Sequence, residues 1–171
     1  MKRLLHIFHK LFDNPTQYAR HLGVKIGAHS TIGQSVVWPS EAYLITIGEN
    51  VQVTNGVRFL THGGGNVIRR IHPDFDCFGK IVIGDWAYIG AGTVILPGVT
   101  IGEGTLVGAG SIVTKSAPPN SVVAGNPARY ICTIEEYVQK NLKYNVGTKG
   151  MNSKQKKAFL LGLDDEKFMK K

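Results

Sequence analysis

The sequence holds two cysteines in 171 residues, Cys77 and Cys132. Two thiols build neither a disulfide framework nor a metal-ligand set, so reduced cysteines and a cytoplasmic location are expected. No apolar run approaches the ~20 residues of a membrane-spanning helix. Met1–Lys10 offers only short apolar pairs broken by His6, His9 and Lys10, with no small-residue cleavage site behind them, and reads as mature sequence. Charge is missing where a nucleic-acid reader would carry it. The formal net charge is +8, yet residues 26–132 hold as many acids as bases, and the excess lies in 1–25 and 133–171. A neutral body with basic ends favours an anionic small ligand or a membrane surface over nucleic acid. A Gly-X-Y register is absent as well, which excludes collagen despite 21 glycines.

What the chain does have is a period of six. Ile83, Ile89, Ile95, Ile101, Val107 and Val113 follow one another at that spacing. Four places after each stands a small or β-branched residue: Ala87, Thr93, Val99, Thr105, Ser111 and Ala117. Three places after each, glycine dominates: Gly92, Gly98, Gly104 and Gly110, with Trp86 and Ser116 as exceptions. The rule reads earlier too, through Ile26, Ile32 and Trp38. After a slip of three residues it resumes through Ile47, Val53 and Phe59.

This spacing fits neither a helix nor a plain hairpin alternation. Each unit reads as a short strand and a corner, with the aliphatic residue pointing inward from a flat face. Glycine or asparagine at the third place suits a left-handed corner that strains other residues. Three units close a triangular turn of about 18 residues, and stacked turns pair as parallel strands about 4.8 Å apart. A loop-rich β-sandwich would need variable strand lengths and no fixed register.

Helices are expected only at the ends. Asn14-Pro15 and Gly23 bracket one over Thr16–Leu22. Before it, Leu4, Leu5, Phe8, Leu11 and Phe12 form a basic amphipathic stretch that suits either an end cover or a peripheral membrane contact. Ile134, Val138 and Leu142 recur at helical spacing, and Lys154–Leu161 reads as a last helix. The chain is thus expected to be a single domain: a helical cap over 1–23, a coil over 24–132 with an excursion at 64–80, and a helical tail over 133–171.

The run IVIGDWAYIGAGTVILPGVTIGEGTLVGAGSIVTKSAPPNSVVAGNPAR, Ile81–Arg129, strongly resembles the hexapeptide-repeat acyltransferases. Within them it is most similar to acetyl-CoA-dependent sugar O-acetyltransferases of the capsule, O-antigen and galactoside type. The resemblance implies an all-β solenoid, a left-handed parallel β-helix. It also implies a homotrimer with active sites between subunits, acetyl-CoA as acyl donor, a sugar, nucleotide-sugar or lipid-linked sugar acceptor in surface-polysaccharide biosynthesis, and no metal. The handedness rests on the resemblance alone, since parallel crossovers are ordinarily right-handed.

The period breaks at Thr61-His62, where Gly63-Gly64-Gly65 opens the excursion to Lys80. The resemblance makes His62 the general base. Acetyl transfer to a hydroxyl removes one proton as the oxygen attacks, and neutral histidine suits this near pH 7. Counted from Phe59, His62 falls at the third place, so a left-handed or strained backbone is expected there. Gly63 stands where relatives often carry aspartate, which leaves the partner that orients the imidazole open. The His-Gly-Gly-Gly run also resembles an esterase oxyanion loop, but the chain has no Gly-x-Ser-x-Gly elbow.

Matched to the family motif, the Ala91 backbone N–H faces the thioester carbonyl as an oxyanion donor. Ala109 lines the pantetheine groove, Thr114 and Lys115 lie towards the nucleotide, and Lys115 or Arg129 meets its phosphates. Arg69, Arg70, His72, Asp74 and Asp76, in the excursion, are acceptor candidates. Three rival functions stay open: N-acetylation of an amino-sugar nucleotide, a zinc enzyme of the γ-carbonic anhydrase kind, and a non-catalytic solenoid scaffold.

Overall fold

The computed structural model describes residues 13–170. Their contacts form two compact units, one ending at Ile134 and one beginning at Glu135. The basic amphipathic stretch from Leu4 to Phe12 lies outside the described residues.

The first unit opens with a helix, Pro15–His21. Asn14 caps it: its side-chain oxygen accepts the Gln17 amide at 2.9 Å, and Gln17 returns a bond to the Asn14 amide at 3.2 Å. Such a reciprocal cap satisfies two otherwise unpartnered donors. Gly23, at φ +94°, ends the segment. The expected helix is there, displaced by one residue.

Twelve short strands follow: β1 (Lys25–Ile26), β2 (Thr31–Ile32), β3 (Ile45–Ile47), β4 (Gln52–Val53), β5 (Arg58–Phe59), β6 (Ile81–Ile83), β7 (Tyr88–Ile89), β8 (Val94–Ile95), β9 (Thr100–Ile101), β10 (Leu106–Val107), β11 (Ile112–Val113) and β12 (Ser121–Gly125). They pair in parallel into three sheets. The first contains β1, β3, β6 and β9; the second β2, β4, β7, β10 and β12; the third β5, β8 and β11. The chain visits the sheets in rotation. Where a strand is lacking, Val37 bridges to Arg58 and Ala117 to Ile101, so the rotation is kept.

The six-residue period is what stacks the core. Ile47, Ile83 and Ile101 lie in register in one sheet, and Val53, Ile89 and Val107 in the next. Phe59, Ile95 and Val113 form the third column, with the Trp38 ring stacked 4.9 Å from Phe59. All nine aliphatic and phenyl side chains of these columns are buried. Burial of each contributes about 1.5–3 kcal/mol. The fourth-place residues are buried as well, and the hydroxyls among them are satisfied locally. Thr93 donates to the Gly90 carbonyl at 2.7 Å and Ser111 to that of Gly108 at 2.6 Å. A small polar residue therefore closes the corner without an unpaired buried group.

Most third-place residues take the left-handed turn as expected, Gly92, Gly98, Gly104 and Gly110 among them, with His29, Asn50 and Trp86 at φ +58°, +55° and +59°; Ser116 does not. Two expectations need correction. The excursion holds a single helical turn, Gly65–Ile68, so helices are not confined to the ends. The parallel coil also stops at β12, because β13 (Ala128–Thr133) folds back antiparallel on it. An antiparallel return covers the open hydrogen-bonding edge of the last rung, which another parallel turn would only have moved along.

In the second unit, helical structure runs through Asn141 and a 3-10 turn, Leu142–Tyr144, and resumes at Ser153–Leu161. Neither helix of the tail buries a residue. Among the described residues, no helix is long and apolar enough to cross a membrane.

Candidate active site

The site is built where the coil is interrupted. Leu60 still donates to the Ile95 carbonyl at 3.0 Å, and Thr61 is buried. The chain then leaves the coil through an antiparallel neck: His62 bridges Phe78, and the Gly79 amide donates to the Thr61 carbonyl at 2.8 Å. This corrects the backbone expected at His62. Among the described residues, the non-glycine residues with positive φ are His29, Asn50, Trp86 and Asn120, and the left-handed turn here comes at Gly64, at φ +73°. A corner is not turned at 62, because the bridge to Phe78 holds that residue in line with the departing strand.

The imidazole is half exposed and leans on the Phe78 ring, with centroids 5.5 Å apart. Its Nδ1 lies 2.8 Å from Glu41 Oε2. Thr61 donates its hydroxyl to the same oxygen at 3.3 Å. Glu41 sits just before a 3-10 turn, Ala42–Leu44, whose Ala42 is buried. The Ser40 hydroxyl holds the Glu41 carboxyl below the usual glutamate value. Burial opposes this, while the residue's own amide, the His62 imidazole and the Thr61 hydroxyl add to it. The sequence reading missed Glu41. Its signal was the slip itself: Trp38 to Ile47 spans nine residues in place of six, and an acid stands in the inserted piece.

Ala91 and Ala109 occupy one corner, between the second and third sheets, on successive turns. Gly110 donates to the Ala91 carbonyl at 2.8 Å. Both alanines are exposed, and neither amide donates a backbone hydrogen bond among the described residues. Lys115 and Arg129 line a cavity of about 280 Å³ with Val113, Ala117, Val123 and Tyr130. Thr114 is exposed beside it and does not line it.

The excursion uses two of its charged residues on itself. Arg69 donates Nε–H to the Phe75 carbonyl at 2.9 Å and reaches Asp76 at 3.4 Å. Arg70, His72 and Asp74 are exposed on the same loop. Among the described residues no hydrogen bond or ion pair joins these five to His62, and no three His, Cys, Asp or Glu side chains could hold a metal ion. The fold thus joins Glu41, Thr61 and His62 at the corner between the third and first sheets. The alanine column stands at a different corner of the same chain.

Residues 80–115 match the family described as bacterial transferase hexapeptide (six repeats). Protein CapG of Staphylococcus aureus is 46% identical over 151 residues, covering 83% of this chain and 84% of that protein. The galactoside O-acetyltransferase of Escherichia coli (strain K12) is 43% identical over 95 residues, which is 55% of this chain and 46% of the relative. Among solved structures, a hexapeptide-repeat-containing acetyltransferase from Vibrio cholerae O1 biovar eltor, complexed with acetyl coenzyme A, superposes with a TM-score of 0.59. It is 35% identical, covering 65% of this chain and 60% of that one. Rotation through three parallel sheets, a six-residue core period and a relative matched over most of both lengths lead to one conclusion: the chain belongs to the hexapeptide-repeat acyltransferase family.

Proposed function

We propose that this protein is an acetyl-CoA-dependent O-acetyltransferase that acts on a sugar hydroxyl in surface-polysaccharide biosynthesis, with His62 as its general base. The observation that carries the assignment is the imidazole at the break in the coil: one ring nitrogen engages Glu41 at 2.8 Å, and the ring is half exposed. Similarity to the galactoside enzyme and to the acetyl coenzyme A complex supports the acceptor and donor classes.

His62 accepts the hydroxyl proton on Nε2 as the acceptor oxygen bonds to the acetyl carbon. The Ala91 amide stabilises the oxyanion that develops. The carbon–sulfur bond then breaks, and His62 returns its proton to the leaving thiolate. Acetyl-CoA supplies the activated acyl group. The residues present fit it: exposed alanines with available amides along one corner, then Lys115 and Arg129 around a cavity that suits phosphates.

The two halves of this machinery lie at different corners of one chain, with a flat sheet between them. A second copy that brings its alanine corner to the His62 corner completes the site, and three copies close the ring. We infer on that ground, and from the family, a left-handed coil assembled as a homotrimer.

His62→Ala is expected to lower turnover at least about 100-fold with acetyl-CoA binding retained. Thiol release from acetyl-CoA against a panel of sugar acceptors measures it, and turnover within a few-fold of the parent protein overturns the role.

A further inference from the structure

We propose that Glu41 is the positioning residue of His62, carried there by a three-residue insertion in the hexapeptide period, and that it fixes the imidazole with its proton on Nδ1 and its lone pair on Nε2. The inference rests on His62 being the base.

Three observations and one rule of hydrogen bonding carry it. Glu41 Oε2 lies 2.8 Å from His62 Nδ1, a hydrogen-bond distance. A carboxylate only accepts, so a neutral imidazole facing it must donate from Nδ1. The carboxylate is itself held: Thr61 Oγ1 donates to the same oxygen at 3.3 Å, and Thr61 is fully buried. The arrangement also comes from a local departure from the repeat. The next inward residue after Trp38 should stand at 44, but Ile47 takes that part. The extra length makes room for the 3-10 turn that presents Glu41.

Among the described residues, Glu41 is the acid paired with His62. Gly63 carries no acid, and a Cβ added there would meet nothing within 4 Å. Asp76 is engaged with Arg69 on the excursion. The imidazole thus has its orienting partner on the coil side and its second nitrogen left for the acceptor. Phe78 braces the ring from the excursion side. The hydrogen bond that orients the ring thus comes from the coil and the packing from the excursion, which together hold the base where it can meet its proton within hydrogen-bond reach.

Two measurements on the full-length protein test this. The first is the imidazole ¹⁵N spectrum of His62, assigned by its loss in His62→Ala and recorded where the ring is neutral. The parent protein should show the Nδ1–H tautomer, and Glu41→Ala should shift it towards Nε2–H. The second is kinetics. Glu41→Ala should lower kcat by on the order of 10–10³-fold and leave KM for acetyl-CoA within about two-fold. That loss is smaller than the ~10⁴ of a buried triad acid, because the His62 side chain is 43% exposed. Glu41→Gln keeps the shape and an accepting oxygen, and should retain the tautomer with an intermediate kcat.

An Nε2–H tautomer in the parent protein overturns the proposal even if every variant misfolds. So does a Glu41→Ala kcat within two-fold of the parent while His62→Ala is inactive. Full activity in His62→Ala removes the base itself, a failure distinct from that of Glu41.

Discussion

At the scale of the residue, Glu41 also links acid stability to the active site. Its carboxyl titrates below the usual glutamate value, led by the Ser40 hydroxyl that stabilises the charged form. A lowered folded value means the unfolded chain binds the proton first. The stabilisation is therefore complete above the ordinary glutamate value of about 4.3 and is lost as pH falls through the lower folded one. Glu41→Gln removes this dependence. Urea unfolding across the acid range should show the parent losing stability more steeply than the variant below that pH. Parallel curves would mean that the pair with His62 and Thr61 contributes nothing to folding.

At the scale of the element, the turn of the coil depends on two kinds of glycine, and a pair two residues apart separates them. Gly92 turns a corner at φ +70°, and an added Cβ there meets nothing within 4 Å. Gly92→Ala should cost only the left-handed strain, about 1–2 kcal/mol. Gly90 is different. Its added Cβ would lie 2.5 Å from the Ala109 amide nitrogen and 2.6 Å from the Val107 carbonyl oxygen. Those atoms belong to the next turn, so Gly90→Ala must push two rungs apart and should exceed about 3 kcal/mol. Equal losses in chemical denaturation would show that stacking distance does not limit this corner.

The same contrast explains what the sequence could and could not tell. Inward residues and corners were legible because the period repeats a local conformation: Ile83 and Ile101 announce each other by spacing alone. The coil's departures were not. His62 counts as a corner only if the chain keeps turning, and the bridge to Phe78 shows that it does not. Glu41 lies 21 residues before His62, and their meeting depends on the turns lying one above another. Past Pro118-Pro119, spacing gave no hint that β13 would run back against β12. His62 itself was found by resemblance, since a lone histidine carries no such signal.

At the scale of the whole molecule, the catalytic proposal stands on assembly. On that proposal, a chain that keeps its imidazole and its alanine column at separate corners needs a second copy to react. Light scattering on the purified protein should give three times the 18.6 kDa chain mass, and activity should fall with the loss of that species on dilution. A fully active monomer would falsify the shared site.

The narrow neck of the excursion has a consequence for how such enzymes diversify. Because the chain departs and rejoins at adjacent points, with His62 bridged to Phe78 and Gly79 bonded to Thr61 at 2.8 Å, the segment 63–77 inside the bridge is a cassette. Its length and chemistry can change while every rung above and below stays in place. Grafting a foreign insert between His62 and Phe78 should change the acceptor while leaving the proposed base, its orienting acid and the proposed acyl-donor groove as they are.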